Sequence, residues 1–172
     1  NKDLQGIINR SGDVIISADD FGSPFFWSEN MLCKKGANGL QGFANLSGDW
    51  LIPPEYEFVE TFQEGLAAVK KNGKCGYINK NGDSITEFMF DIARPFSNGI
   101  AVITINGKFG LVNARGDLIA KPTYDAFYFP WTNLIAMQKD GKVGFIDAEG
   151  NIAIDFKFSP FLSSRNIGIY IY

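Results

Sequence analysis

The stretch Gly65-Leu66-Ala67-Ala68-Val69-Lys70-Lys71-Asn72-Gly73-Lys74-Cys75-Gly76-Tyr77-Ile78-Asn79-Lys80-Asn81-Gly82-Asp83 decides the fold. Residues 66–69 are apolar on both alternations, which fits a strand covered on both faces. Asn72-Gly73 follows, and because both residues tolerate positive φ the pair predicts a tight hairpin turn. The chain returns through 75–79, and Lys80-Asn81-Gly82 then puts glycine where a three-residue hairpin needs a left-handed residue. A third strand is expected at 84–86. Residues 88–93 are apolar enough for a short fourth, before Arg94-Pro95-Phe96-Ser97-Asn98-Gly99 leads onward.

Working outward, the same pattern recurs through the chain. Gly42 to Gly76, Gly76 to Gly110 and Gly110 to Gly144 are each 34 residues apart, and Gly6 to Gly42 is 36. Three residues past each glycine stands Asn9, Asn45, Asn79, Asn113 or Asp147, and six past it Gly12, Gly48, Gly82, Gly116 or Gly150. The next residue is Asp13, Asp49, Asp83, Asp117 or Asn151. The first-strand run returns at 100–103 and 134–137, each followed by Asn106-Gly107 or Asp140-Gly141. An aromatic closes each of four units, at Tyr56, Phe90, Tyr124 and Phe158. A fixed period of this size marks a modular array. With no 3.6-residue periodicity, the reading is all-β: one repeat domain over residues 1–172, built of five antiparallel meanders of three to four strands.

Such units either stack as a solenoid or close as a propeller. The chain begins within a unit at Gly6-Ile7-Ile8-Asn9, and it ends on Ile167-Gly168-Ile169-Tyr170-Ile171-Tyr172, where the next first strand is due. The expectation is therefore a five-bladed β-propeller, closed by a C-terminal strand at 167–172 that hides both open edges. An open β-solenoid is the alternative.

The residues from Gly42 resemble the WG repeat family. Its pattern reads Gly-Tyr-Ile-Asp-x-x-Gly-x-x-Val-Ile-Pro-Pro-x-Tyr-Asp, then Phe-x-x-Gly-Leu-Ala-x-Val and a Lys/Asn-Gly-Lys turn. Gly42-Phe43-Ala44-Asn45, Ile52-Pro53-Pro54-Glu55-Tyr56 and Phe62-Gln63-Glu64-Gly65-Leu66-Ala67-Ala68-Val69 follow it nearly throughout. The name-giving Trp before the glycine is replaced by Gln5, Gln41, Cys75, Phe109 and Val143, so no role tied to it is carried over. The resemblance implies a bacterial binding or scaffolding repeat, with no shared catalytic residue and no cofactor. It leaves the compartment open, with the cell surface the favoured side.

Composition narrows the chemistry. The 172 residues include no histidine, which removes the commonest general base and the commonest metal ligand together. Ser/His and Cys/His nucleophiles are thereby excluded. A net charge of −3, interspersed along the chain, speaks against a nucleic-acid partner. No stretch approaches a membrane span, and the domain is expected to be monomeric. Cys33 and Cys75 read as two buried thiols. The carboxylates Glu57, Asp91 and Asp125 fall at one place in successive units; closing a turn is their expected work, with glycoside hydrolysis the alternative. Asp13, Asp49, Asp83, Asp117 and Asn151 are read as turn residues rather than calcium ligands, and no metal is expected.

Aromatics, at 15% of the chain, carry the ligand argument. Trp27, Phe62, Phe96 and Trp131 precede the first strands at nearly equivalent places, with Phe25, Phe26, Phe127, Tyr128 and Phe129 around them. Packing between units is the plain reading of such rings. Trp131 and Tyr128 are the candidates to face a ligand, joined by Trp27 and by Trp50 on a third strand. Lys70, Lys71, Lys74 and Lys80 surround two turns as solvated charge. The expected function is a non-catalytic module that engages a protein, peptide or glycan through loops on one face. The alternatives are a carboxylate-based carbohydrate-active enzyme and a structural spacer of a longer protein.

Overall fold

The computed structural model describes residues 7–8, 11–12, 14–16, 27–128 and 134–160. The expected closing strand at 167–172 and the first-unit residues Gly6, Asn9 and Asp13 lie outside these. All regular structure among the described residues is β-strand, so no helix is long and apolar enough to cross a membrane. The chain divides into two compact units, Asn1–Ser97 and Asn98–Tyr172.

The first unit contains β1 (Ile7–Ile8), β2 (Val14–Ile16), β3 (Trp27–Ser28), β4 (Met31–Lys35), β5 (Gln41–Ala44), β6 (Trp50–Tyr56), β7 (Phe58–Val59), β8 (Leu66–Lys71), β9 (Lys74–Asn79) and β10 (Ile92–Ala93). Here β1 pairs with β2, β3 to β6 form a four-stranded meander, and β7 to β9 form a three-stranded one. The second unit contains β11 (Ile100–Ile105), β12 (Lys108–Asn113), β13 (Leu118–Tyr124), β14 (Ala126–Tyr128), β15 (Ile135–Lys139), β16 (Lys142–Ile146) and β17 (Ile152–Phe158). In it β11, β12 and β13 are successive neighbours and β14 to β17 form a second four-stranded meander. Every strand pairing among the described residues is antiparallel, as neighbours joined by short turns must be.

The Asn-Gly hairpins fold as the sequence dictates. Asn72, Asn106 and Asp140 have φ of 53°, 52° and 51°, and their glycines 77°, 73° and 73°, the two positive values of a type I′ turn. Val69, Ile103 and Met137 thereby face Gly76, Gly110 and Gly144 across the ladder. The β4–β5 hairpin instead carries the loop 36–40, closed where Gly36 N–H donates to Leu40 O at 2.8 Å.

The third strand departs from expectation. Sequence reading divides it into a third strand and a short fourth, but β6, β13 and β17 each run unbroken to the aromatic. The join is a bulge. Phe43 pairs with Ile52 and Gln41 with Tyr56, so Pro53, Pro54 and Glu55 lie opposite the single residue Gly42. The bulged backbone rests on the glycine: a Cβ at Gly42 would stand 2.5 Å from Ile52 O, and one at Gly110 2.7 Å from Ala120 O. Close backbone approach is what fixes the glycine period. Around Gly76 the ladder opens to two bridges, Ile78 with Ser84 and Cys75 with Phe90. Thr86 Oγ1 there accepts Tyr77 N–H at 3.0 Å in place of a ladder bond. The fourth strand expected over 88–93 is therefore two things. Buried Phe90 ends one sheet against Tyr77, and β10 lies beyond the corner at Asp91.

The largest described core lies in the first unit and includes Phe43, Ile52, Tyr56, Phe62, Val69 and Ile78, with Phe88 packed against it. Phe43 and Phe62 meet at 4.7 Å between ring centres. In the second unit Leu111, Ala120, Ile135, Met137 and Ile146 form the corresponding cluster.

Candidate functional site

The polar positions that recur from repeat to repeat build turns. Asn45 Oδ1 accepts the amides of Ser47 and Asp49 at 2.9 Å each, and Asn79, Asn113 and Asp147 repeat this two and four residues on. The side chains at the two ends of the turn also bond each other. Asn45, Asn79 and Asn113 donate Nδ2–H to Asp49, Asp83 and Asp117 at 2.9–3.1 Å. In the last unit the polarity reverses: Asn151 donates to Asp147 at 3.1 Å. One amide and one carboxylate are needed, and either order serves. Asn113→Asp, which sets its carboxylate against that of Asp117, is expected to lower the melting temperature at neutral pH. Adding Asp117→Asn, which recreates the order of Asp147 and Asn151, is expected to recover most of the loss in thermal unfolding.

The carboxylates of the candidate catalytic set are engaged with turns and lysines. Glu57 Oε1 accepts Gly73 N–H at 3.0 Å, and Asp125 Oδ2 accepts Asp140 N–H at 2.9 Å. Asp91 pairs with Lys74 and Asp125 with Lys108. The amides belong to the following hairpin, not to the residue's own turn. The lysine cluster resolves likewise into pairs: Lys71 with Glu55 and Lys80 with Glu29. Among the described residues no group of three His, Cys, Asp or Glu is placed to hold a metal ion.

These contacts tie stability to pH. The Lys108 ammonium, then the Asp140 amide, hold the Asp125 carboxyl below its usual range; Asn113 and Arg115 do so for Asp117, and the Asn151 amide for Asp147. An acid whose folded pKa is depressed stabilises the fold above its unfolded value, and loses that contribution as pH falls through the folded one. The urea midpoint is therefore expected to hold from neutrality to about pH 5 and to drop below about pH 4, with a shallower drop in Asp125→Asn.

The aromatic candidates separate by burial. Phe62 and Phe96 are 0% and 4% exposed, the latter edge-on to Tyr77 at 4.8 Å. Trp27 holds the place of Phe62 in the register, since it precedes the Glu29-Asn30 turn by the same count as Phe62 precedes Glu64-Gly65. Yet Trp27 is 47% exposed. Trp50 is partly exposed beneath Lys34, whose Nζ lies 4.9 Å from the ring centre and donates to Gly48 O. Tyr128 is half-buried, and its hydroxyl donates to Gln138 Oε1 at 2.7 Å. Trp131, with Phe25, Phe26 and Phe129, lies outside the described residues. Cys33 is buried, and burial pushes its thiol up to about 12; Cys75 is half-buried, and neither forms a disulfide.

One contact had no sequence signal. Glu29 accepts Gly65 N–H at 3.1 Å and Lys80 Nζ at 2.9 Å, clasping two turns of the first unit. Its partners stand 36 and 51 residues away, beyond any local pattern.

A sequence model of the WG containing repeat matches residues 42–75, 76–109, 109–142 and 144–159. Among solved structures the chain is similar to the crystal structure of the computationally designed Ika4 protein. The two share 18% identity at a TM-score of 0.45, over 70% of this chain and 87% of that one. No curated protein matches the chain. The repeat's usual Trp position is filled here by packing residues: Gln41 Oε1 accepts Val59 N–H at 3.0 Å, and Phe109 meets Phe127 at 5.3 Å. Four consecutive matches span the meanders built on Gly42, Gly76, Gly110 and Gly144, and the chain belongs to the WG containing repeat family.

Proposed function

We propose that this chain is a non-catalytic interaction module that engages a peptide, protein or glycan through aromatic side chains beside its first strands. The observation that carries the reading is Trp27, half in solvent at the place where Phe62 and Phe96 are buried. A large ring left partly wet on a rigid strand is the kind of anchor that binding surfaces use. Support also comes from the carboxylates Glu57 and Asp125, each of which gives one oxygen to a turn amide. Glycan-array and peptide pull-down screens should compare the wild type with Trp27→Ala, Tyr128→Ala and Trp131→Ala. Saturable binding lost in Trp27→Ala, with unchanged circular dichroism, is the expected result. Undiminished binding by Trp27→Ala overturns the assignment.

For the architecture we propose the closed five-bladed ring over the open stack. The support is the passage from a long outer strand to the next short strand across one residue, β6 to β7 and β13 to β14, as consecutive blades are joined. Small-angle scattering tests this: a closed, compact ring has a radius of gyration of about 16 Å, and an extended stack a larger one.

A further inference from the structure

The chain holds five sulfur atoms, in Met31, Met89, Met137, Cys33 and Cys75. Four of them are buried or half-buried. Met31 and Met137 are 5% and 0% exposed, each within the core of its own unit. Cys33 lies in the first of these cores, and Cys75 is half-buried, its thiol donating to Asp91 O at 3.7 Å. Burial raises both thiols above their ordinary range. At neutral pH neither then carries an appreciable share of thiolate, the form that oxidants attack. Met89, by contrast, is 41% exposed.

The chain is fixed on both sides of Met89. Phe88 packs against the first unit's core, and Phe90, 1% exposed, exchanges both main-chain hydrogen bonds with Cys75, at 2.7 and 3.1 Å. Alternation along an extended chain turns the side chain between two such inward rings to the outside. The other repeats show what that place accepts. The residue before the closing aromatic is Glu55, Thr123 or Lys157, each exposed and each polar. The repeat register therefore asks for no apolar group where Met89 puts a thioether.

We propose that Met89 is a site of oxidative modification in the folded protein, converted by peroxide to the sulfoxide before any other sulfur of the chain reacts. A lone pair of the thioether sulfur attacks one peroxide oxygen, and the O–O bond breaks. The departing hydroxide takes the proton left on the transferred oxygen and becomes water. The sulfur is thereby oxidised by two electrons and the peroxide reduced by two. The product is polar where the thioether was apolar. Glu55, Thr123 and Lys157 already place polar groups at the equivalent position, so the sulfoxide is accommodated without disturbing the core. The same change at Met31 or Met137 would set an S–O dipole inside a core, and it waits on unfolding.

The test is timed exposure of the intact chain to hydrogen peroxide at neutral pH, followed by peptide mapping and by alkylation to count the remaining thiols. Native protein is expected to gain its first oxygen at Met89, many-fold faster than at Met31 or Met137 and before either thiol is lost. In denaturant the three methionines are expected to react at one rate. Protein oxidised at Met89 alone, and the variant Met89→Gln, are each expected to melt within about 2 °C of the wild type. Native Met31 or Met137 reacting as fast as Met89, or a thiol reacting first, overturns the proposal. So does a native order of rates that persists in denaturant, or a fold that collapses on oxidation of Met89 alone.

Discussion

Gly42→Ala is expected to lower the stability of the fold by about 3 kcal/mol, near the upper end of what overpacking costs, and Gly76→Ala by about 1 kcal/mol or less. The two glycines are one repeat apart and identical in sequence role, so the difference isolates a structural cause. At Gly42 the added methyl would stand 2.5 Å from Ile52 O and 2.7 Å from the carbonyl of Pro53, all backbone held in a bulge by two prolines. Neither atom gives without breaking the ladder that pairs Phe43 with Ile52 and Gln41 with Tyr56. At Gly76 the nearest atoms are Glu87 O and the Phe88 ring edge, both at 3.2 Å. That sheet has already exchanged its ladder for isolated bridges, and a shift of a few tenths of an ångström relieves the contact. Gly110, with Ala120 O at 2.7 Å, is expected to fall near Gly42. Urea denaturation of the three variants measures the order. Equal losses at Gly42 and Gly76 contradict the account.

The contrast also marks how much of the molecule is legible in sequence. The hairpins were, because Asn72-Gly73 and Asp140-Gly141 need positive φ at both positions and few other residue pairs supply it. The turns from Asn45 to Asp49 were legible for the same local reason. The bulge was not: the unit reads as a third strand and a separate short fourth, whereas the chain at Trp50–Tyr56 keeps its pairing by packing three residues against one hydrogen-only position. Candidate site residues were less legible still. Trp27 and Phe62 carry the same sequence signal, a ring before a first strand. Their exposure depends on what the neighbouring elements lay over them, which no short window encodes. The clasp from Glu29 to Gly65 and Lys80 was invisible because its charge partners are distant in sequence and ordinary in composition.

Phe62→Ala is expected to cost about 3–5 kcal/mol, and Trp27→Ala at the equivalent place about 1 kcal/mol or less. Phe62 is wholly buried, meets Phe43 at 4.7 Å and belongs to the cluster that joins the sheets of the first unit. Removing its ring deletes that contact and leaves a cavity beside Phe43, which is held on its strand and cannot swing in to fill it. Trp27 has nearly half its surface in water already, so truncation removes partial contacts and opens no closed cavity. Thermal and urea unfolding of the two variants measure the gap. A binding module needs this asymmetry, because a ring spent on holding sheets together is not available to a partner. Should Trp27→Ala unfold as readily as Phe62→Ala, Trp27 is a core residue. The ligand face would then have to be sought at Tyr128 or Trp50, where one hydroxyl already bonds Gln138 and one ring already lies beneath Lys34.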